Sequence, residues 1–285
     1  MKISAIAAGL MLASPALAAD LDITVFNPGT ASLFPVVSSI IEGPSEVILV
    51  DAQFQTNDAQ TLVDMIKATG KDLKAIYITH KDPDFYFGLD TILAAFPDTP
   101  VYASPETVKG IKASAEAKLQ VWGPRLKENA PARTVVPAPL EGDHLMVDGE
   151  RVNVIGLDGH DPKHTFVHVP SEDTVIASIS VFNNQHVWMA DSQTVESRDN
   201  WRATLETILD LNAERIIPGH FVGDVALDDS GVYFTRDYIA RFEGASAAAE
   251  GSEELIAAMQ ALYPDFGMGA LGLSAKVAEG EATWP

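Results

Sequence analysis

Cysteine is missing from this 285-residue chain. Neither a disulfide nor a thiolate metal site is open to it, so any metal must be held by His, Asp, Glu or water. Basic residues are also scarce: 19 Lys and Arg stand against 40 Asp and Glu, a formal net charge of −21. Phosphate recognition needs clustered Lys and Arg, which argues against a nucleic-acid partner and against polybasic docking to a membrane. Long apolar runs are absent too, since no segment approaches the roughly 20 residues a spanning helix needs. There is no G-x-S-x-G nucleophile elbow and no glycine-rich phosphate loop. Serine-triad and nucleotide-dependent chemistries therefore have no sequence support.

The N-terminus has the pattern of a targeting segment. Lys2 gives a positive start, residues 3–17 are mostly apolar, and Ala16-Leu17-Ala18 supplies small residues in an A-x-A arrangement. The pattern predicts a signal peptide over residues 1–19, cleaved just before Ala19 or Asp20, and a periplasmic or secreted mature protein. The mature chain, residues 20–285, shows no composition break and is expected to be a single domain.

Strand-like and helix-like segments alternate along it. Short β-rich runs fall at Asp22–Phe26 and Glu46–Val50, the second ending at Asp51. Asn57 or Asp58 caps an expected helix with Leu62, Val63 and Ile66 on one face and Gly70 as its stop. A buried-type strand at 75–79 runs into His80, a short helix comes next at 88–96, and a longer one spans 104–128. A Pro-rich connection at 131–139 then leads to strands at 151–157, 165–169 and 174–178, a helix at 198–211 and a strand at 215–217. Further helices are expected at 233–243 and 253–262. Strand and helix blocks on both sides of one crossover predict an α/β fold with a sheet-on-sheet core covered by helices.

Chemistry concentrates where strands end. His80, Asp82 and Asp84 come directly after the 75–79 strand and alternate, so in an extended segment they would point the same way. One imidazole and two carboxylates at that spacing suit a divalent cation. His160 and His220 each stand after another strand, in Gly159-His160 and Pro218-Gly219-His220. A single loop histidine is usually just a hydrogen-bonded surface residue; three, after three separate strands, weaken that explanation. His164 and His186 are further candidates to reach the same region, with His186 and Tyr86 as substrate contacts. Asp51 reads as a loop anchor rather than a ligand.

In that order, Asp51, Thr79-His80-x-Asp82-x-Asp84, Gly159-His160 and Pro218-Gly219-His220 resemble the metallo-β-lactamase superfamily. The likeness runs from about residue 22 to residue 238. It implies a four-layer αβ/βα sandwich and a metal site at His80, Asp82, Asp84, His160 and His220. The chain departs from the H-x-H-x-D-H motif at Asp82, where a His is usual, and at Phe85, where the last His would stand. Where a bridging Asp is expected it has Ile179-Ser180. With those losses the resemblance implies one divalent ion rather than two, zinc first, with iron or manganese as alternatives.

The function this resemblance implies is that of an exported metal-dependent hydrolase of a small ester, lactone or amide. A metal-activated water would be the nucleophile, with Asp84 orienting it and carrying a proton. The alternative is a catalytically degenerate member of the superfamily that binds a ligand or partner without hydrolysis. β-Lactam hydrolysis is not implied by a fold that hosts many chemistries.

Overall fold

The computed structural model describes residues 20–284. The expected signal peptide, residues 1–19, lies outside the described residues.

Among the described residues eleven strands form two sheets. The first contains β1 (Asp22–Phe26), β2 (Ser38–Glu42), β3 (Glu46–Val50), β4 (Asp72–Ile78), β5 (Val101–Ala103) and β6 (Ala138–Pro139), in that spatial order. The second contains β7 (His144–Val147), β8 (Glu150–Ile155), β9 (Phe166–Val169), β10 (Thr174–Asn183) and β11 (Arg215–Phe221), ordered β11-β10-β9-β8-β7. The 131–139 connection carries the last strand of the first sheet, so it is the crossover between halves. The helices are α1 (Thr56–Thr69), α2 (Pro83–Tyr86), α3 (Leu89–Ala95), α4 (Pro105–Leu126), α5 (Val195–Asp210), α6 (Ser230–Ala248), α7 (Ser252–Leu262) and α8 (Leu271–Ala278).

The strand sequences explain the layering. Glu46–Val50 and Thr174–Asn183 are nearly continuous apolar runs, as expected for strands buried on both faces. Neighbouring residues in a strand face opposite ways, and the two cores divide accordingly. Ile41, Ile48, Tyr77, Ile176 and Ile217 meet between the sheets. Ile40, Leu49, Ile76, Val175 and Ile216 face outward under the helices. On one side Leu62, Val63 and Ile66 of α1 cover the first sheet; on the other, α5 and α6 pack on β10. The result is a four-layer αβ/βα sandwich.

Two strands are longer than their sequences suggest. β10 continues five residues past Ser178, with a register shift there and Ser178 itself at φ 52°. β11 runs through Pro218 to Phe221, which an interior strand would not tolerate. β11 is the edge strand of its sheet, where a proline is tolerated. Gly219 lies so close to β10 that a Cβ there would stand 2.2 Å from the Ser178 carbonyl.

Candidate functional site

The ends of β3 and β4 and the middle of β10 are tied together by polar groups. Asp51, at φ 63° just after β3, accepts hydrogen bonds from the Thr79 amide (2.8 Å) and the Thr79 hydroxyl (2.7 and 2.9 Å). Burial pushes the Asp51 carboxyl up to about 8 against the pull of those bonds. The Thr79 hydroxyl also meets that of Ser178, joining one sheet to the other. Asp51 thus fixes the direction in which the chain leaves β4 toward His80.

His80 is buried, and its Nδ1 accepts the Asp82 backbone N–H at 3.2 Å. Burial is the main cause that drives its pKa down to about 3, so the imidazole is neutral. A neutral ring that accepts at Nδ1 carries its proton on Nε2. The Asp82 carboxylate lies 3.7 Å from His80 Nδ1, but its main partner is Lys118. Lys118 Nζ, on α4, stands 2.5 Å from Asp82 Oδ1 and donates a second bond, 3.2 Å long, to the Lys81 carbonyl. Burial would raise the Asp82 pKa; Lys118, then His80, outweigh it and hold the carboxyl well below the usual range. Beside this pair, Lys81 Nζ lies 3.1 Å from Asp191 Oδ1, and Trp188 Nε1 donates to Asp191 at 2.5 Å.

Pro83 opens α2 immediately after Asp82, so the extended alternation expected of His80, Asp82 and Asp84 ends there. Asp84 winds onto a helical turn and pairs with His220, Oδ2 to Nε2 at 3.3 Å. The other His220 nitrogen, Nδ1, contacts the Pro35 carbonyl at 3.3 Å. Phe85, fully buried, packs edge-on against both His80 and His220, each at 5.5 Å between ring centres.

The rings close into a cycle. His80 stacks on His164 (5.9 Å), His164 on Trp201 (5.3 Å), and Trp201 meets Phe182 edge-on (6.3 Å). Phe182 stacks on His220 (4.8 Å), which returns through Phe85 to His80. Ile179, in the region of the expected bridging Asp, is buried in the apolar core. The Ser180 hydroxyl is buried without a hydrogen-bond partner.

Of the two histidines of the 156–165 loop, His164, a further candidate on sequence, reaches this region, and His160, the expected ligand, does not. His164 faces His80, with its Nδ1 held by Asp161 at 2.5 Å. His160 is exposed and contacts Thr204 at 3.2 Å, so it does not join His80 and Asp82. His186 is buried elsewhere, among Tyr238, Tyr263 and Phe266, bonded through Nδ1 to the Tyr238 hydroxyl at 2.9 Å. Tyr86 is fully buried and its hydroxyl has no partner; burial, then the charges of Asp82 and Asp84, raise its pKa.

Lys118 is missing from the candidates named on sequence, although a signal was there. Val108, Ile111, Ala115 and Lys118 recur at helical spacing, which puts the lysine on the buried stripe of α4.

A divalent metal does not fit this arrangement. Among the described residues no three His, Asp or Glu side chains converge so that they could hold an ion. Asp82 is committed to Lys118, Asp84 and His220 to each other, and His80 Nδ1 to the backbone. Phe85 and Ile179 present hydrocarbon where donors would be needed.

Comparison with known proteins agrees with the architecture. Residues 31–220 match the model of the metallo-beta-lactamase superfamily. A metallo-beta-lactamase family protein from Thermus thermophilus is similar over 91% of this chain and 93% of its own, at 22% identity and a TM-score of 0.64. A metallo-beta-lactamase from Pontibacter korlensis is similar over 78% of this chain and 99% of its own, at 16% identity and a TM-score of 0.55. No curated protein matches the chain.

Proposed function

The chain belongs to the metallo-beta-lactamase superfamily, and from that premise we propose that it is a degenerate member that binds a ligand or partner without metal-driven hydrolysis. One observation carries this reading. Phe85 packs between His80 and His220, so an apolar ring fills the space between two imidazoles that the resemblance assigns to metal ligation. Hydrolysis by a metal-activated water would require Asp82 to leave Lys118 and the ring cycle to open, and each step sacrifices buried contacts. The net charge of −21 repels anions, so a neutral or cationic ligand suits the field of this protein. The mature chain is assigned to the periplasm or the exterior on the pattern of its N-terminal segment. Among the described residues no helix is long and apolar enough to cross a membrane.

The test is metal content on the protein purified without added metal or chelator, together with turnover of chromogenic ester, lactone and amide substrates. No stoichiometric metal and no turnover above buffer are expected. About one zinc, iron or manganese per chain, lost in His80→Ala along with turnover, would instead establish the mononuclear hydrolase implied by the sequence.

A further inference from the structure

An ionised carboxylate in a protein interior needs a compensating charge. In a metal site the ion supplies it. Here Asp82 is 6% exposed and Lys118 4% exposed, and they meet at 2.5 Å. Lys118 is anchored further by its bond to the Lys81 carbonyl. Asp82 in turn holds His80 through its backbone N–H. The ammonium therefore sits at the head of a short chain of bonds that ends on the first histidine of the motif.

The charges around it already balance. Asp82 and Asp191 are matched by Lys118 and Lys81, and both lysines act on both carboxylates. The Lys81 stem is packed against α4, where a Cβ on Gly110 would come within 3.0 Å of it. A divalent ion entering beside Asp82 would bring two positive charges into a neutral cluster and meet two ammonium groups at close range. Like charges in such a setting repel strongly.

We propose that Lys118 is the resident cation of this centre, taking the electrostatic place of a divalent ion at Asp82 and keeping metal out. The inference rests on the metal-independent reading above and names the side chain responsible for it. Removing the ammonium leaves the buried Asp82 carboxylate without its hydrogen-bonded counter-charge, beside His80, which stacks on His164. Zinc then has a reason to bind, and the folded state has a reason to need it.

The experiment uses the full mature chain as wild type, Lys118→Met, Lys118→Arg and the double variant Lys118→Met/Asp82→Asn. Each is melted in chelator and in excess zinc, and bound zinc is counted after desalting. Wild type and Lys118→Arg should show the same Tm in both media and hold no stoichiometric zinc. Lys118→Met in chelator should lose roughly 6–20 °C of Tm, recover part of it in zinc, and retain about one zinc per chain. The double variant should regain Tm without zinc and respond to it no more than wild type, because no buried charge is left unpaired.

Stoichiometric zinc on the wild type would overturn the metal-independent reading itself. A zinc-free wild type with a Lys118→Met variant that is equally stable, or unresponsive to zinc, would overturn the assignment of Lys118 alone. If Lys118→Met does not accumulate as folded protein, the double variant decides: it must fold, and its failure to do so refutes the charge argument.

Discussion

Truncating Phe85 to alanine tests whether the ring cycle is a built core or an open site with a phenyl group lying across it. The side chain is fully buried and touches His80 and His220 edge-on. Deleting a buried phenyl ring costs about 3–5 kcal/mol, more when the surroundings cannot collapse into the gap. Collapse is restricted here, because His80 is held by the Asp82 amide and His220 by Asp84 and the Pro35 carbonyl. Edge-to-face pairs add about 0.5–1.5 kcal/mol beyond buried area, which favours the upper end of that range. In a domain of this size about 3–5 kcal/mol corresponds to a fall in Tm of roughly 6–20 °C. Urea unfolding should show a lower midpoint at unchanged slope, the signature of lost stability rather than a changed unfolded state. Phe96→Ala, at the half-buried position that ends α3, is the control and should lose less. A Phe85→Ala variant within about 1 kcal/mol of wild type, or no worse than the control, would refute the packed centre and reopen the space to a ligand.

The same geometry makes three further perturbations informative. Tyr86→Phe removes a buried hydroxyl with no partner, so the urea midpoint should hold or rise, by up to about 1–3 kcal/mol in stability; a clear loss would mean the hydroxyl is satisfied. Burial lowers the His186 pKa to about 4. Between about pH 4 and 6.5 the unfolded state therefore binds more protons than the folded one. Stability from this residue is complete above pH 6.5 and is lost as pH falls toward 4; His186→Asn should flatten that part of a Tm-against-pH curve. Gly219→Ala should push β10 and β11 apart, since its Cβ would fall 2.2 Å from the Ser178 carbonyl. A loss of about 1–3 kcal/mol or more is expected in urea, and an unchanged midpoint would contradict the close approach of the two strands.

Much of the fold was legible because its signals are local. Continuous apolar strands such as Glu46–Val50 announce burial on both faces, and Gly70 stops α1 in the left-handed conformation that glycine adopts freely. The crossover at 131–139 was marked by its prolines. The strand ends that carry His80, Asp84 and His220 could be named from order and spacing, and the structure brings these three residues together around Phe85.

The layers, and the end of the sheets where polar groups gather, could be read along the chain because strand and helix periods depend only on sequence neighbours. Which groups meet at that end is a matter of three-dimensional packing. His160 and His164 are four residues apart in one loop, and only the packing of that loop against Trp201 turns His164 inward. Lys118 sits on a buried helical stripe that sequence can reveal, but its partner is 36 residues away on another element. Whether a buried ammonium is a fault or a counter-ion depends on what faces it across the fold. The electrostatics of an interior are set by groups that meet in space, and that is why the partner and role of this lysine could be recognised only from the structure.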